Sequence, residues 1–137
     1  MSAGVGAATR PCDVLIVEDD RDVREAAATL MEVEGLRVVE AENGAEALAA
    51  LDEGLRPKAI VLDMMMPLVD GEKFLRARRL DPAAAAIPVI IFSALRNIPR
   101  DLSEARVVAI LSKPVDPGRF LRTIREAVGP SPPVRAD

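Results

Sequence analysis

Five short, mainly apolar runs, separated by segments of helical spacing, constrain the fold of this chain more than any other feature. Runs of this length, bounded by turn signals, are typical of strands that are buried on both faces of a sheet. The predicted strands cover residues 14–17, 38–41, 59–62, 89–92 and 107–111. Because strands that alternate with helices form a parallel sheet through right-handed crossovers, we predict an α/β fold with helices on both faces.

The intervening segments place apolar residues at helical spacing, which predicts amphipathic helices. These helices cover residues 21–34, 45–54, 71–81 and 116–128, with a further short helix between 95 and 107. The alanine run 83–86 fits either a helix or a compact loop, and Pro57 separates the second helix from the third strand. We expect one domain over residues 12–129, preceded by a flexible segment 1–11 and followed by a Pro-rich tail at 130–137.

The composition fits a folded domain, because half of the 137 residues are apolar and 29% are charged. The net charge of −4 gives no reason to expect nucleic acid binding, and without histidine the chain cannot use imidazole as a catalyst or metal ligand. A single cysteine, Cys12, fits a reducing compartment. No apolar stretch approaches the ~20 residues of a membrane span and no secretory signal is evident, so we expect a soluble cytoplasmic protein.

Polar side chains follow the ends of four predicted strands. Glu18 and Asp19 follow the first strand, Asp63 the third, Ser93 the fourth and Lys113 the fifth. The carboxyl ends of parallel strands share one edge of the sheet, so these groups should meet in one crevice. Three close carboxylates repel one another, and a divalent cation relieves that repulsion. A site with oxygen ligands and neither cysteine nor histidine favours Mg²⁺ or Mn²⁺.

Such a site is equipped for phosphoryl transfer. A cation, the Lys113 ammonium and the Ser93 hydroxyl can neutralise the oxygens of a phosphoryl group, and a carboxylate can accept that group as a nucleophile. Asp63 is the natural acceptor because it ends the strand expected at the centre of the sheet. Each residue alone has an ordinary reading as a turn or helix-cap residue, so the prediction depends on their combination.

The sequence resembles a response-regulator receiver domain of two-component signalling over residues 12–129. The matching segments are Val-Glu-Asp-Asp at 17–20, Asn-Gly at 43–44, Asp-Met-Met-Met-Pro-Leu-Val-Asp-Gly at 63–71, Phe-Ser-Ala at 92–94 and Lys-Pro at 113–114. The resemblance implies a flavodoxin-like, doubly wound (βα)5 fold with a five-stranded parallel sheet in the order 2-1-3-4-5. It also implies a signalling phosphoprotein rather than an enzyme, although such a domain assists its own phosphorylation and dephosphorylation.

The resemblance further assigns the acidic residues. Asp63 would accept the phosphoryl group from a histidine kinase or a phosphotransfer protein. Asp19, Asp63 and the backbone carbonyl of Met65 would bind Mg²⁺, and Glu18 would act through a coordinated water. Since the Met65 side chain follows the phosphoacceptor so closely, we expect it to cover part of the site and to affect the lifetime of the phosphoryl group.

The remaining assignments concern the switch. Ser93 would bind a phosphoryl oxygen and move inward, Lys113 would pair with the phosphoryl group, and the bond between Lys113 and Pro114 would be cis. The family usually has an aromatic residue three positions before the lysine, where this chain has Ile110. Either the output uses another surface or motion, or Ile110 is simply a residue at the edge of the core and the switch is weak. A short interval between Ser93 and Lys113 predicts a short or displaced helix there.

The leading functional prediction is therefore a phosphorylation-controlled, stand-alone receiver, a monomer or weak dimer that acts on a downstream protein target. One alternative is an interaction module that keeps the fold but works without phosphorylation, which the unusual Ile110 position keeps open. A second alternative, a Mg²⁺-dependent phosphatase of small molecules with an aspartyl intermediate, is disfavoured. Such an enzyme would need an acid two residues after Asp63, where this chain has Met65.

Overall fold

The computed structural model of the chain describes residues 9–66, 70–94 and 106–129. Its strands are β1 (Arg10–Val17), β2 (Val38–Ala41), β3 (Leu55–Leu62), β4 (Val89–Ser93) and β5 (Val107–Ser112). Its helices are α1 (Arg21–Val33), α2 (Gly44–Asp52), α3 (Gly71–Arg78), α4 (Pro82–Ala85) and α5 (Pro117–Val128). Among these described segments, no helix is both long enough and apolar enough to cross a membrane.

The five strands form one parallel sheet in the order β2-β1-β3-β4-β5, which confirms the predicted α/β fold and strand order. β3 is the central strand, because Leu62 pairs with Val17 of β1 on one side and with Ile91 of β4 on the other. The carboxyl ends of all five strands lie at the same edge. The residue that follows β3 is therefore placed in the middle of that edge.

Helices cover both faces of the sheet, and each face has its own apolar core. One core joins Ile60 and Leu62 of β3 to residues of α2 and α3, including Leu51 and Phe74. The opposite core joins β-strand residues such as Val61 to α1 and α5. Successive residues of β3 thus point to opposite cores, as expected for a strand with helices on both sides. This packing holds the central strand rigidly beneath the site.

Side-chain caps fix the starts of the helices that follow the strands. In α1, α2, α3 and α5 the residue before the helix accepts a hydrogen bond from a backbone N–H of the first turn, and these residues are Asp20, Asn43, Asp70 and Asp116. A cap of this type typically contributes about 1 kcal/mol. Asp81 caps the short helix α4 in the same way, so the alanine run is helical rather than a loop.

Two predicted boundaries were wrong. β1 begins at Arg10, before the predicted domain boundary at residue 12, because the Arg10 N–H donates to the Gly54 carbonyl at 2.8 Å and the strand pairs onward with β3. Pro57 does not separate a helix from a strand but lies within β3. β3 pairs with β1 alone before Ile60, so a residue without an N–H is tolerated on the unpaired side.

Three predictions fall on residues outside the described ranges. They concern the flexible segment over residues 1–8, the tail over residues 130–137 and most of the short helix expected between 95 and 107. The end of that last interval is described: β5 begins at Val107, where the predicted fifth strand begins.

Candidate functional site

The sheet brings all five polar groups predicted from the strand ends to one edge. Asp63 directly follows β3, and its backbone N–H donates to the Val17 carbonyl at 3.0 Å. Ser93 ends β4, and its carbonyl accepts a hydrogen bond from the Lys113 N–H at 3.0 Å. Backbone pairing thus continues just past the strand ends. It fixes the spacing between the residues whose side chains form the site.

Three carboxylates form a compact cluster at the centre of this edge. Glu18, Asp19 and Asp63 each offer an oxygen atom, and these oxygens lie within 4.8 Å of one another. Glu18 and Asp63 are buried, whereas Asp19 is exposed. A donor set made only of carboxylate oxygens suits a hard cation such as Mg²⁺, and the exposed Asp19 leaves one side open to water. The residues present therefore fit the cation that the sequence predicted.

The Lys113 ammonium lies between two of these carboxylates. Its Nζ atom contacts Glu18 Oε1 and lies 3.6 Å from Asp63 Oδ2. Burial raises the pKa of the Glu18 carboxyl to about 7, against the opposing effect of its hydrogen bond with Lys113, and the nearby Asp63 raises it further. One ammonium thus pairs with both buried carboxylates, Glu18 and Asp63. The site is short of positive charge, which favours binding of a cation.

Two hydrogen-bond donors and one ammonium orient the Asp63 carboxylate. Its Oδ1 atom accepts hydrogen bonds from the Ser93 hydroxyl at 3.0 Å and from the Met65 backbone N–H at 3.1 Å, and its Oδ2 atom faces Lys113. Asp63 and Ser93 are buried, so these bonds form in a setting where water competes little. A carboxylate held in this way has a fixed orientation, with two hydrogen-bond donors and the Lys113 ammonium already beside it.

Met65 contributes its backbone N–H to the site, while its side chain projects outward. The side chain is 57% exposed, whereas those of Met64 and Met66 are buried. The expectation that the Met65 side chain covers part of the site stays a prediction. The predicted role of its backbone carbonyl as a metal ligand stays a prediction.

The predicted switch position lies on the edge strand. Ile110 is 43% exposed and shares its face of β5 with Val108, which is 51% exposed. Leu111 points the other way and is buried. Ile110 thus presents an apolar side chain to the outside of the sheet at the place where the family usually has an aromatic ring. The peptide bond between Lys113 and Pro114 is cis, as the resemblance implied.

Sequence reasoning missed the supporting roles of three residues. The Arg24 guanidinium donates to the Glu18 carbonyl at 2.9 Å and bonds Glu40 at 3.1 Å, which ties the loop after β1 to α1 and β2. Gly71 lets the start of α3 approach the loop after Asp63, and its N–H donates to the Met64 carbonyl at 3.3 Å.

The third missed residue is Phe92, whose ring lies below the Lys113 ammonium. It also lines an apolar cavity of about 540 Å³ between α1 and α5, together with Lys113, Leu30 and Phe120. Strand alternation could have located Phe92, since the residue before Ser93 must face the opposite side of the sheet. The close approach at Gly71 and the Arg24 contacts depend on three-dimensional packing and leave no sequence pattern.

Comparisons with known proteins agree with this geometry. A family model described as response regulator receiver domain matches residues 14–125. An uncharacterized 14.6 kDa protein from the sodA1 3′ region of Leptolyngbya boryana is 34% identical over 128 residues, which cover 88% of this chain and 93% of that protein. Response regulator Rre1 of Synechocystis is 34% identical over 119 residues, which cover 84% of this chain. The match spans about half of Rre1, 51% of its length.

Solved structures give the same picture. Chemotaxis protein CheY4 of Vibrio cholerae matches with a TM-score of 0.75 and 26% identity, over 86% of this chain and 99% of CheY4. The signal receiver domain of a histidine kinase from Syntrophus aciditrophicus matches with a TM-score of 0.74 and 28% identity, over 85% of this chain and 89% of that domain. TM-scores of this size over most of the chain indicate the same fold.

Proposed function

Because this chain belongs to the response regulator receiver domain family, we propose that it is a phosphorylation-controlled signalling module whose phosphoacceptor is Asp63. The observation that carries the proposal is the fixed Asp63 carboxylate, which is bonded by the Ser93 hydroxyl and the Met65 N–H and faces the Lys113 ammonium. These groups converge from three different strand ends. Such a convergence puts a carboxylate, a hydroxyl and an ammonium within reach of one phosphoryl group.

In the proposed reaction an Asp63 oxygen attacks the phosphorus of a phosphohistidine or acyl phosphate. A new bond forms between that oxygen and phosphorus, while the bond to the donor breaks and the donor keeps the electron pair. Ser93 and Lys113 lie beside the acceptor and would bond two of the phosphoryl oxygens. A Mg²⁺ ion held by Asp19 and Asp63, with the Met65 carbonyl and a water bonded to Glu18, would neutralise further negative charge.

Lys113 has a second role in this proposal. Its ammonium already contacts Glu18, and the phosphoryl group would bring new negative charge to the Asp63 side. The ammonium is therefore drawn from one carboxylate toward the phosphoryl oxygens. The Ser93 hydroxyl is drawn in the same direction, because its present acceptor is the Asp63 oxygen. Phosphorylation thus changes the bonding at the ends of β4 and of the edge strand β5.

The proposed donor is a histidine kinase or a phosphotransfer protein, and the proposed output is binding to a downstream protein in the cytoplasm. The module would act as a monomer or weak dimer. A second candidate is an interaction module that works without phosphorylation. The exposed Ile110 favours it, because no aromatic side chain is available at that position to move with Ser93.

The test is incubation with Mg²⁺ and a small acyl phosphate, followed by intact mass measurement. We expect a gain of one phosphoryl group in the unmodified protein and none in Asp63→Asn. Asp52→Asn is a matched control, because Asp52 is exposed at the end of α2, away from the site. A folded protein that gains no phosphoryl group would reject the first candidate and favour the second. A gain that persists in Asp63→Asn would reject Asp63 as the acceptor.

A further inference from the structure

The ring of Phe92 lies against the ammonium that the proposed reaction uses. The Lys113 Nζ atom is above the ring face, 5.0 Å from its centroid. Phe92 precedes Ser93 on β4, so its side chain points to the opposite side of the sheet, into the core beneath α1 and α5. The two neighbouring residues of one strand thus serve one site from different directions: Ser93 bonds Asp63, and Phe92 supports Lys113.

The Phe92 ring is itself held in place. The ring of Phe120 on α5 packs against it with 5.4 Å between centroids and a 49° tilt. Both side chains are buried, with 8% exposure at Phe92 and 2% at Phe120. Tilted rings at this distance attract each other through the edge of one and the face of the other. The face that Phe92 presents to the ammonium is therefore a fixed feature of the core.

Lys113 needs such support more than the other groups of the site. A lysine side chain has four rotatable bonds, so its ammonium can reach hydrogen-bond acceptors in many positions. The Lys113 side chain is 20% exposed, and it borders the apolar cavity between α1 and α5. An aromatic face attracts an ammonium, whereas an aliphatic side chain of similar size does not. A ring face is also broad, so the ammonium can shift from Glu18 toward Asp63 and stay in contact.

We propose that Phe92 is a positioning residue that holds the Lys113 ammonium at the phosphoryl site through its ring face. This inference rests on the proposed function, because it concerns the cation that would pair with the phosphoryl group on Asp63. It extends the site to a residue that touches neither the phosphoryl group nor a metal. It also means that the core between the sheet and helices α1 and α5 contributes to the chemistry at the carboxyl edge of the sheet.

The test replaces Phe92 site-specifically with mono-, di- and trifluorinated phenylalanine. Fluorine withdraws electron density from the ring face while the ring keeps its shape, so folding should be preserved. We expect the rate of phosphorylation by an acyl phosphate to fall stepwise along the series, by about two- to fivefold in total. The same series at Phe74 is the matched control, because Phe74 is buried in the other core. It should leave the rate unchanged.

A second measurement needs no phosphorylation. Protons held above an aromatic ring face are shifted upfield, so the ε-methylene signals of Lys113 should be shifted upfield in the unphosphorylated protein. They should return toward ordinary values in Phe92→Leu. In a Lys113→Met background, fluorination of Phe92 should no longer change the rate, because the group through which it acts is gone.

The outcomes separate the two ideas. If the unmodified protein gains no phosphoryl group, the proposed function fails. Independently of that result, the contact between Phe92 and Lys113 would be refuted if the Lys113 signals were the same in the parent and in Phe92→Leu. If phosphorylation occurs but its rate is flat along the fluorine series at Phe92, the positioning role is wrong. A decline that persists in the Lys113→Met background would also refute it, because Phe92 would then act by another route.

Discussion

Replacing Gly71 with alanine would test how tightly the loop after Asp63 is packed. A Cβ atom at Gly71 would lie 2.5 Å from the Met64 sulfur, 2.7 Å from the Met64 Cα and 3.2 Å from the Asp63 carbonyl oxygen. The sulfur belongs to a flexible side chain and can rotate away. The Met64 Cα belongs to the backbone, so the loop or the start of α3 must move. The close approach that Gly71 permits is therefore a requirement for the present position of Asp63.

The size of the effect follows from two opposing contributions. Overpacking of a buried site typically costs ~1–3 kcal/mol. Replacing glycine by alanine in a helix typically stabilises by ~0.5–1 kcal/mol, because the unfolded chain loses freedom. We therefore expect Gly71→Ala to lower the free energy of unfolding by about 1–2 kcal/mol. The displaced loop would also turn the Asp63 carboxylate. Since a misplacement of ~1 Å can cost about 100-fold in rate, a smaller shift should slow phosphorylation about tenfold.

Two measurements on the same protein check this expectation. Equilibrium urea unfolding gives the free energy of unfolding, and intact mass over time gives the rate of phosphorylation by an acyl phosphate. Gly118→Ala is the matched control, because the new Cβ would meet the Asp116 carboxylate at 3.1 Å and the Arg122 guanidinium at 3.6 Å, which are ends of exposed side chains outside the site rather than backbone. Since that Asp116 oxygen also caps α5, Gly118→Ala should change stability by no more than the ~1 kcal/mol that a cap contributes, and it should leave the phosphorylation rate unchanged.

The reasoning would be refuted if Gly71→Ala were as stable and as fast as the parent protein. A loss of stability without a slower reaction would show that α3 moves and the loop does not. In that case Asp63 would be positioned by β3 and Ser93 alone, and the contact between Gly71 and Met64 would matter only for packing.

Two further predictions concern Met65 and Cys12. Met65→Asn should change the rate at which the phosphorylated protein loses its phosphoryl group, because an exposed polar side chain beside Asp63 can orient water. Intact mass over time measures this rate, and an unchanged rate would contradict the prediction. Burial, together with Asp13, raises the pKa of the Cys12 thiol to about 11, so the folded protein keeps this proton where the unfolded chain releases it. Stability should be unaffected below about pH 9 and should fall as the pH rises toward 11, and urea unfolding of Cys12→Ala should lack that fall.

Much of the fold was predictable because a buried parallel strand leaves a strong local pattern. The run that became the second half of β3 is apolar at every position, and its neighbours in the sheet are similar. The first half of β3 was not predictable, because Arg56, Pro57 and Lys58 look like a loop. Their extended conformation comes from pairing with β1, and Pro57 is tolerated because the other side has no partner there. Local sequence carries no record of which side of a strand is paired.

The candidate site was predictable to the extent that it consists of strand ends. Asp63, Ser93 and Lys113 could be grouped because parallel topology brings such ends together. The contacts of the backbone and the core could not be found in that way. Distances between segments decide which Asp63 oxygen accepts the Met65 N–H. They also decide that no space is left for a side chain at Gly71. The ring of Phe92 was read as core, and its second role becomes visible only with the position of the ammonium.

The contact between Glu18 and Lys113 has a consequence for how the site forms. It joins residues that are 95 positions apart, one after the first strand and the other after the last. The ends of β1, β3, β4 and β5 must all be in place before Asp63 has its full set of neighbours. The site is therefore completed only when these four strands have assembled, and a chain without its final strand and helix would leave Asp63 without the Lys113 ammonium. A ligand that binds there should stabilise the domain as a unit, because it selects the fully folded state.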